Sequence, residues 1–98
     1  MNPPLIVNPE AETDMVEAKA WYDGHRRGLG DDFLLCVEEI FESICRTPGL
    51  HAEVFQGLRL ALVRRFPYGV VYRLDEDRIT VVAVYHTRRD PRRWQYRT

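Results

Sequence analysis

Residues 68–86 read Tyr68-Gly69-Val70-Val71-Tyr72-Arg73-Leu74-Asp75-Glu76-Asp77-Arg78-Ile79-Thr80-Val81-Val82-Ala83-Val84-Tyr85-His86. Two runs rich in β-branched and aromatic residues flank the acidic triplet Asp75-Glu76-Asp77, a pattern that predicts two antiparallel strands joined by a tight turn. Just upstream, Leu58 to Phe66 alternates with Leu58, Leu60 and Leu62 on one side, and Phe66-Pro67-Tyr68 turns the chain back. Three consecutive strands with short links form a meander. Within the strand from Tyr68, one alternation groups Tyr68, Val70, Tyr72 and Leu74, and the other groups Gly69, Val71, Arg73 and Asp75. The second set is the more polar and is expected to face a groove.

Before Pro48 the period is helical. Asn8-Pro9-Glu10 combines an N-cap residue, a first-turn proline and an acid, so a helix is expected to start there. Ala11, Met15, Ala18, Tyr22 and His25 recur on one stripe, with Glu10, Glu12, Asp14, Glu17 and Asp23 on the solvated side. Gly24 and the Gly28-Leu29-Gly30 segment break the run. A second helix is expected from about Asp31, carrying Phe33, Leu34, Val37, Ile40, Phe41 and Ile44 at helical spacing and ending at Thr47-Pro48-Gly49. Leu5-Ile6-Val7 is a candidate fourth strand. The expected fold is α+β, in the order β-α-α-β-β-β: a two-helix hairpin packed on one face of a small antiparallel sheet, with the other face left open.

A chain of 98 residues suits a single domain, 1–98, with one core. No apolar run approaches the roughly 20 residues a membrane span needs, and the first residues are not signal-like, so a cytoplasmic protein without membrane association is expected. Cys36 and Cys45 fall on opposite sides of one helix, about 13 Å apart along its axis, too far to bridge. His25, His51 and His86 lie on separate elements without metal-ligand spacing. Neither a metal nor a cofactor is expected, since Gly-rich phosphate loops and hydrolase signatures are also missing.

The net charge of -1 conceals an asymmetry: residues 1–58 sum to -7 and residues 59–98 to +6, and all ten cations of the second part are Arg. That part is an anion-seeking surface suited to bidentate contact with carboxylate or phosphate, which fits an acidic protein or a nucleic acid equally.

The segment Arg64-Arg65-Phe66-Pro67-Tyr68-Gly69-Val70-Val71-Tyr72-Arg73, the acidic turn, and Val81-Val82-Ala83-Val84-Tyr85-His86-Thr87-Arg88-Arg89-Asp90-Pro91-Arg92-Arg93-Trp94 together resemble the RelE/ParE toxin superfamily, in its ParE-like branch. Glu17-Ala18, Trp21-Tyr22, Gly28-Leu29-Gly30 and Phe33 extend the resemblance over nearly the whole chain. It implies a bacterial type II toxin, neutralised by a cognate antitoxin that lays a helix and an extended segment over the open groove. Toxins of the ParE branch act on DNA gyrase, whereas the RelE branch cuts mRNA on the ribosome without a metal, using groove cations. The nuclease arginine corresponds here to Gly69, and two groove lysines fall at about Leu60 and Leu62. Gyrase is therefore the expected target, with the ribosome and its mRNA as the alternative; a non-toxic relative that only binds its partner is a third reading. Homodimers and toxin–antitoxin hetero-oligomers are both compatible.

The expected target-binding residues are Arg73, Arg88, Arg89, Arg92, Arg93 and Trp94, because Trp beside Arg is a frequent interface anchor. Should the nuclease alternative hold, His86, Arg64 and Arg88 are the expected catalytic set, with the imidazole as general base. Trp21 and Tyr22 are read as packing residues.

Overall fold

Asn8 and Pro9 do start a helix, and the amide of Asn8 still bonds to the Val81 carbonyl, so the first strand passes directly into it. The computed structural model describes residues 3–97. The elements run β1 (Leu5–Val7), α1 (Pro9–His25), α2 (Leu29–Arg46), β2 (Glu53–Phe55), β3 (Leu58–Leu62), β4 (Tyr68–Leu74), β5 (Ile79–His86) and α3 (Arg92–Gln95). No helix among these residues is long and apolar enough to cross a membrane.

The meander β3–β4–β5 is antiparallel, as expected, but it is the middle of a larger sheet ordered β1-β5-β4-β3-β2. β1 joins in parallel, with Leu5 opposite Ile79 and Val7 opposite Val81, so the sheet is mixed. At the other edge β2 pairs with β3 through the two-residue turn Gln56-Gly57, both at positive φ, the conformation of a tight hairpin turn.

α1 and α2 form the expected hairpin on one face. Ala11, Ala18 and Tyr22 of α1 and Phe33, Cys36, Val37 and Ile44 of α2 are buried against Val70, Tyr72, Ile79, Val81 and Val84 of the sheet. Rings dominate one end of this core, with Tyr22–Phe66 and Phe33–Tyr68 centroids each 4.9 Å apart in edge-to-face geometry. His25, placed on the stripe by periodicity, is exposed at the helix end. Cys36 is buried, Cys45 half-buried, and both are free.

The far face of the sheet departs from the expectation of an open groove. Leu58, Val71, Val82 and Ala83 form a second apolar cluster, and α3 lays Trp94 over it, 3% exposed and packed against Phe55 and Tyr85. The basic segment after His86 stays exposed from Thr87 to Arg93, and the Trp94 indole docks its end.

A bulge in β5 adjusts which side chains reach each face. Val71 pairs with Ala83 and Tyr72 with Val81, leaving Val82 as the extra residue. Val82 and Ala83 both join the second cluster, while Val84 returns to the helix side. His86 follows it and stands beside Tyr68, with ring centroids 5.4 Å apart.

Candidate functional site

β1 covers only Ile79–Val81 of β5, so the second half of that strand would present a bare edge. Side chains seal part of it. Asp14 of α1 accepts from the Val84 amide at 3.0 Å, and Arg97 reaches Asp14 at 2.7 and 3.0 Å and the Val82 carbonyl at 3.2 Å. Between this latch, α1 and the turn after His86 lies a crevice with two lobes, about 200 and 220 Å³. Trp21, Tyr68, His86 and Arg89 are common to both lobes; Arg93 and Trp94 belong to the first and Arg88 to the second.

Trp21 is 56% exposed and stacks on His25 with centroids 3.9 Å apart. The Nδ1–H of His25 donates to the Trp21 carbonyl at 2.8 Å, which fixes that ring under the indole. Tyr68 is buried, which pushes its phenol up, while the neighbouring Arg89 guanidinium pulls it back.

His86 is constrained by one hydrogen bond. The Arg88 backbone N–H donates to its Nδ1 at 3.1 Å. A backbone amide is only a donor, so the neutral ring carries its proton on Nε2 and presents Nε2–H to the crevice. In that tautomer the Nδ1 lone pair faces the backbone of the turn.

The expected site residues divide accordingly. Arg88, Arg89, Arg93, Trp94 and His86 come together, and no carboxylate pairs with Arg88, Arg89 or Arg93 among the described residues. Arg92 is turned to Asp90 at 2.6 and 2.9 Å. Arg73 lies opposite Leu58 and Thr80 near the other end of the strands, its guanidinium 3.3 Å from where a Gly57 Cβ would be. Arg64 forks Glu39 of α2 at 2.8 and 3.1 Å, and that bond holds the Glu39 carboxyl below its usual range. Arg64 is thus paired with α2 and is not among the residues that line the crevice with His86 and Arg88. Trp21, read from the sequence as packing, is instead an exposed wall of the crevice; Tyr22 beside it does pack. Asp14 and Arg97 were legible only as charges, since their pairing spans 83 positions. Among the described residues no three His, Cys, Asp or Glu groups converge to hold a metal.

On the far face, Leu60 pairs with Val71 and Leu62 with Gly69. A Cβ on Gly69 would lie 2.5 Å from Leu60 Cδ1, so the leucine fills the space in front of the glycine. This surface is apolar where a phosphate-cleaving groove would need cations.

A helical hairpin packed on a small sheet is also the fold of solved toxin–antitoxin structures. The chain superposes on a structure of the chromosomal ParDE toxin–antitoxin system from P. aeruginosa with a TM-score of 0.77 at 14% identity, covering 86% of this chain and 95% of that one. It superposes on the RelBE2 complex of Mycobacterium tuberculosis with a TM-score of 0.64 at 19% identity, covering 88% and 99% respectively. Residues 5–91 match the family model described as ParE toxin of type II toxin-antitoxin system, parDE, and the chain belongs to that family. It is also 30% identical over 88 residues to toxin ParE2 from two strains of Mycobacterium tuberculosis, spanning 89% of this chain and 84% of the relative.

Proposed function

We propose that this ParE-family toxin arrests growth in the cytoplasm by binding DNA gyrase through the crevice between α1, the end of β5 and α3. A cognate antitoxin holds it inactive. The antitoxin follows from the similarity to toxin–antitoxin systems. The observation that carries the non-nuclease reading is the Nδ1 of His86, which accepts the Arg88 amide and so faces the turn and not the crevice. The loss of even one electrostatic donor from a transition-state site costs about 10²- to 10³-fold in rate. Here Gly69, Leu60 and Leu62 replace several at once.

The test uses the purified chain in two assays. With gyrase and supercoiled plasmid it should trap a cleavage complex, seen as linear DNA after denaturant and protease; in a translating extract it should leave mRNA intact. Arg88→Ala together with Arg89→Ala should weaken toxicity more than His86→Ala. Codon-positioned mRNA cleavage that disappears in the His86→Ala protein would establish the nuclease instead. Normal growth on expressing folded protein would identify a relative that only binds its partner.

A further inference from the structure

The second lobe of the crevice is lined by Trp21, Tyr68, His86, Arg88 and Arg89. Indole and guanidinium groups donate hydrogen bonds and cannot accept them. His86 presents Nε2–H whether its ring is neutral or protonated, because Nδ1 is turned to the Arg88 amide. Only the Tyr68 hydroxyl can do either. An occupant must therefore bring acceptors, and the two guanidiniums without a carboxylate partner among the described residues ask for a negative one. The exposed face of Trp21, backed by His25, adds an apolar wall suited to the aliphatic part of a side chain.

Carboxylate and phosphate both satisfy this chemistry, and the adjoining lobe separates them. There the α1 wall presents Asp14 and Glu17. Asp14 pairs with Arg97, whose guanidinium also feels the exposed Glu17, and Arg89 and Arg93 line the same lobe, so charges of both signs are interleaved there. A nucleic-acid backbone, charged at every residue, matches a uniformly basic track and not this mixed-sign wall. A peptide can place one carboxylate among the donors and an apolar or basic residue opposite Glu17.

We infer that the crevice is a receptor for an acidic peptide segment of a protein partner. One carboxylate is forked by Arg88 and Arg89 and touched by His86 Nε2–H, and Trp21 packs along its stem. The inference rests on the reading of this crevice as the partner-binding surface and specifies the chemistry that enters it.

The test is a titration of the full chain with an acetylated, amidated peptide of alternating Glu and Leu, alongside its Gln-for-Glu isostere, followed by the indole and backbone amide resonances. The Glu peptide should saturate in the millimolar range or below and shift the Trp21 indole N–H rather than that of buried Trp94. It should bind about tenfold or more tightly than the Gln isostere, the discrimination a lost charge-assisted hydrogen bond produces. Arg88→Gln with Arg89→Gln should erase that preference while leaving the thermal melt unchanged, a result a merely structural role would not give. Equal affinity for the two peptides, or no saturable shift of Trp21, would overturn the inference. So would a single-stranded oligonucleotide that displaces the Glu peptide and binds more tightly at the same residues. If gyrase poisoning were observed but no carboxylate preference, this inference alone would fail.

Discussion

Leu60 Cδ1 stands 2.5 Å from the point where a Cβ on Gly69 would sit, and the two residues lie on neighbouring strands of the apolar far face. The glycine is thus tied to its neighbour: any side chain at 69 has to displace Leu60. Gly69→Arg should cost less than about 1 kcal/mol, since the half-exposed Leu60 can swing its end methyl aside, and should not create mRNA cleavage, because no cations stand at Leu60 or Leu62. Thermal melts and a translating extract check both halves; cleavage by this single variant would show that the remaining nuclease machinery is already present.

The two helices meet closely at Gly30. A Cβ there would lie 2.5 Å from the Lys19 carbonyl oxygen, a backbone atom, and 2.6 Å from Asp23 Oδ1. Gly24, inside α1, has nothing within 4 Å of its Cβ position. Alanine should therefore act with opposite signs: a loss of about 1–3 kcal/mol at Gly30 and a gain of about 0.5–1 kcal/mol at Gly24 from reduced chain entropy. Chemical denaturation of the two variants reads this directly. Matching signs would show that the hairpin geometry is wrong.

Asp14 performs two tasks, accepting the Val84 amide and pairing with Arg97, while both side chains are largely shielded, at 18% and 23% exposure. Asp14→Ala strands a backbone donor and an arginine together, which should cost about 1–3 kcal/mol. Arg97→Ala should cost less, since the amide bond survives. A double-mutant cycle should give a coupling of at least about 0.5 kcal/mol; strict additivity would mean the pair does not form in solution. Uncovering the β5 edge should also raise the tendency to aggregate.

Asp23 carries a pH dependence. Its carboxyl is held below the ordinary range, first by the Lys19 hydrogen bond at 2.7 Å and then by the Gly30 amide at 2.7 Å. With the folded value depressed, the stabilisation is complete above the unfolded value of about 3.9. It is lost as pH falls through the folded value. Asp23→Asn should lower stability at neutral pH and flatten the acid limb of a stability–pH profile below about pH 4. Parallel acid limbs for the two proteins would exclude this carboxylate as a contributor.

Both helices and the meander were legible in the sequence because each carries a strong period and clear stops, such as Pro9 and Pro48. β2 was missed although Gln56-Gly57 lies between it and Leu58, because three residues give too little alternation to register. α3 was missed because four residues carry no period, and Trp94, read as an interface anchor, is instead buried against the far face of the sheet. Of the candidate site, the Arg88–Arg93 cluster and His86 were visible as residues. Their separation from Arg64 and Arg73 was not, since those distances are set by strand register and by Glu39 on another element.

The amino-acid sequence by itself determined the α+β class, the order of the two helices and the three-strand meander, and the helix-facing set Tyr68, Val70 and Tyr72. These depend on periodicity and residue identity, which are local. Only the tertiary structure decided that β1 joins in parallel, that α3 closes the far face, and that Trp21 meets His86 at a crevice. It alone decided also that the Nδ1 of His86 accepts the Arg88 amide. The physical reason is the same in each case. A single bulge at Val82 and an ion pair between residues 14 and 97 choose which side chains share a surface, and neither leaves a periodic trace in the chain.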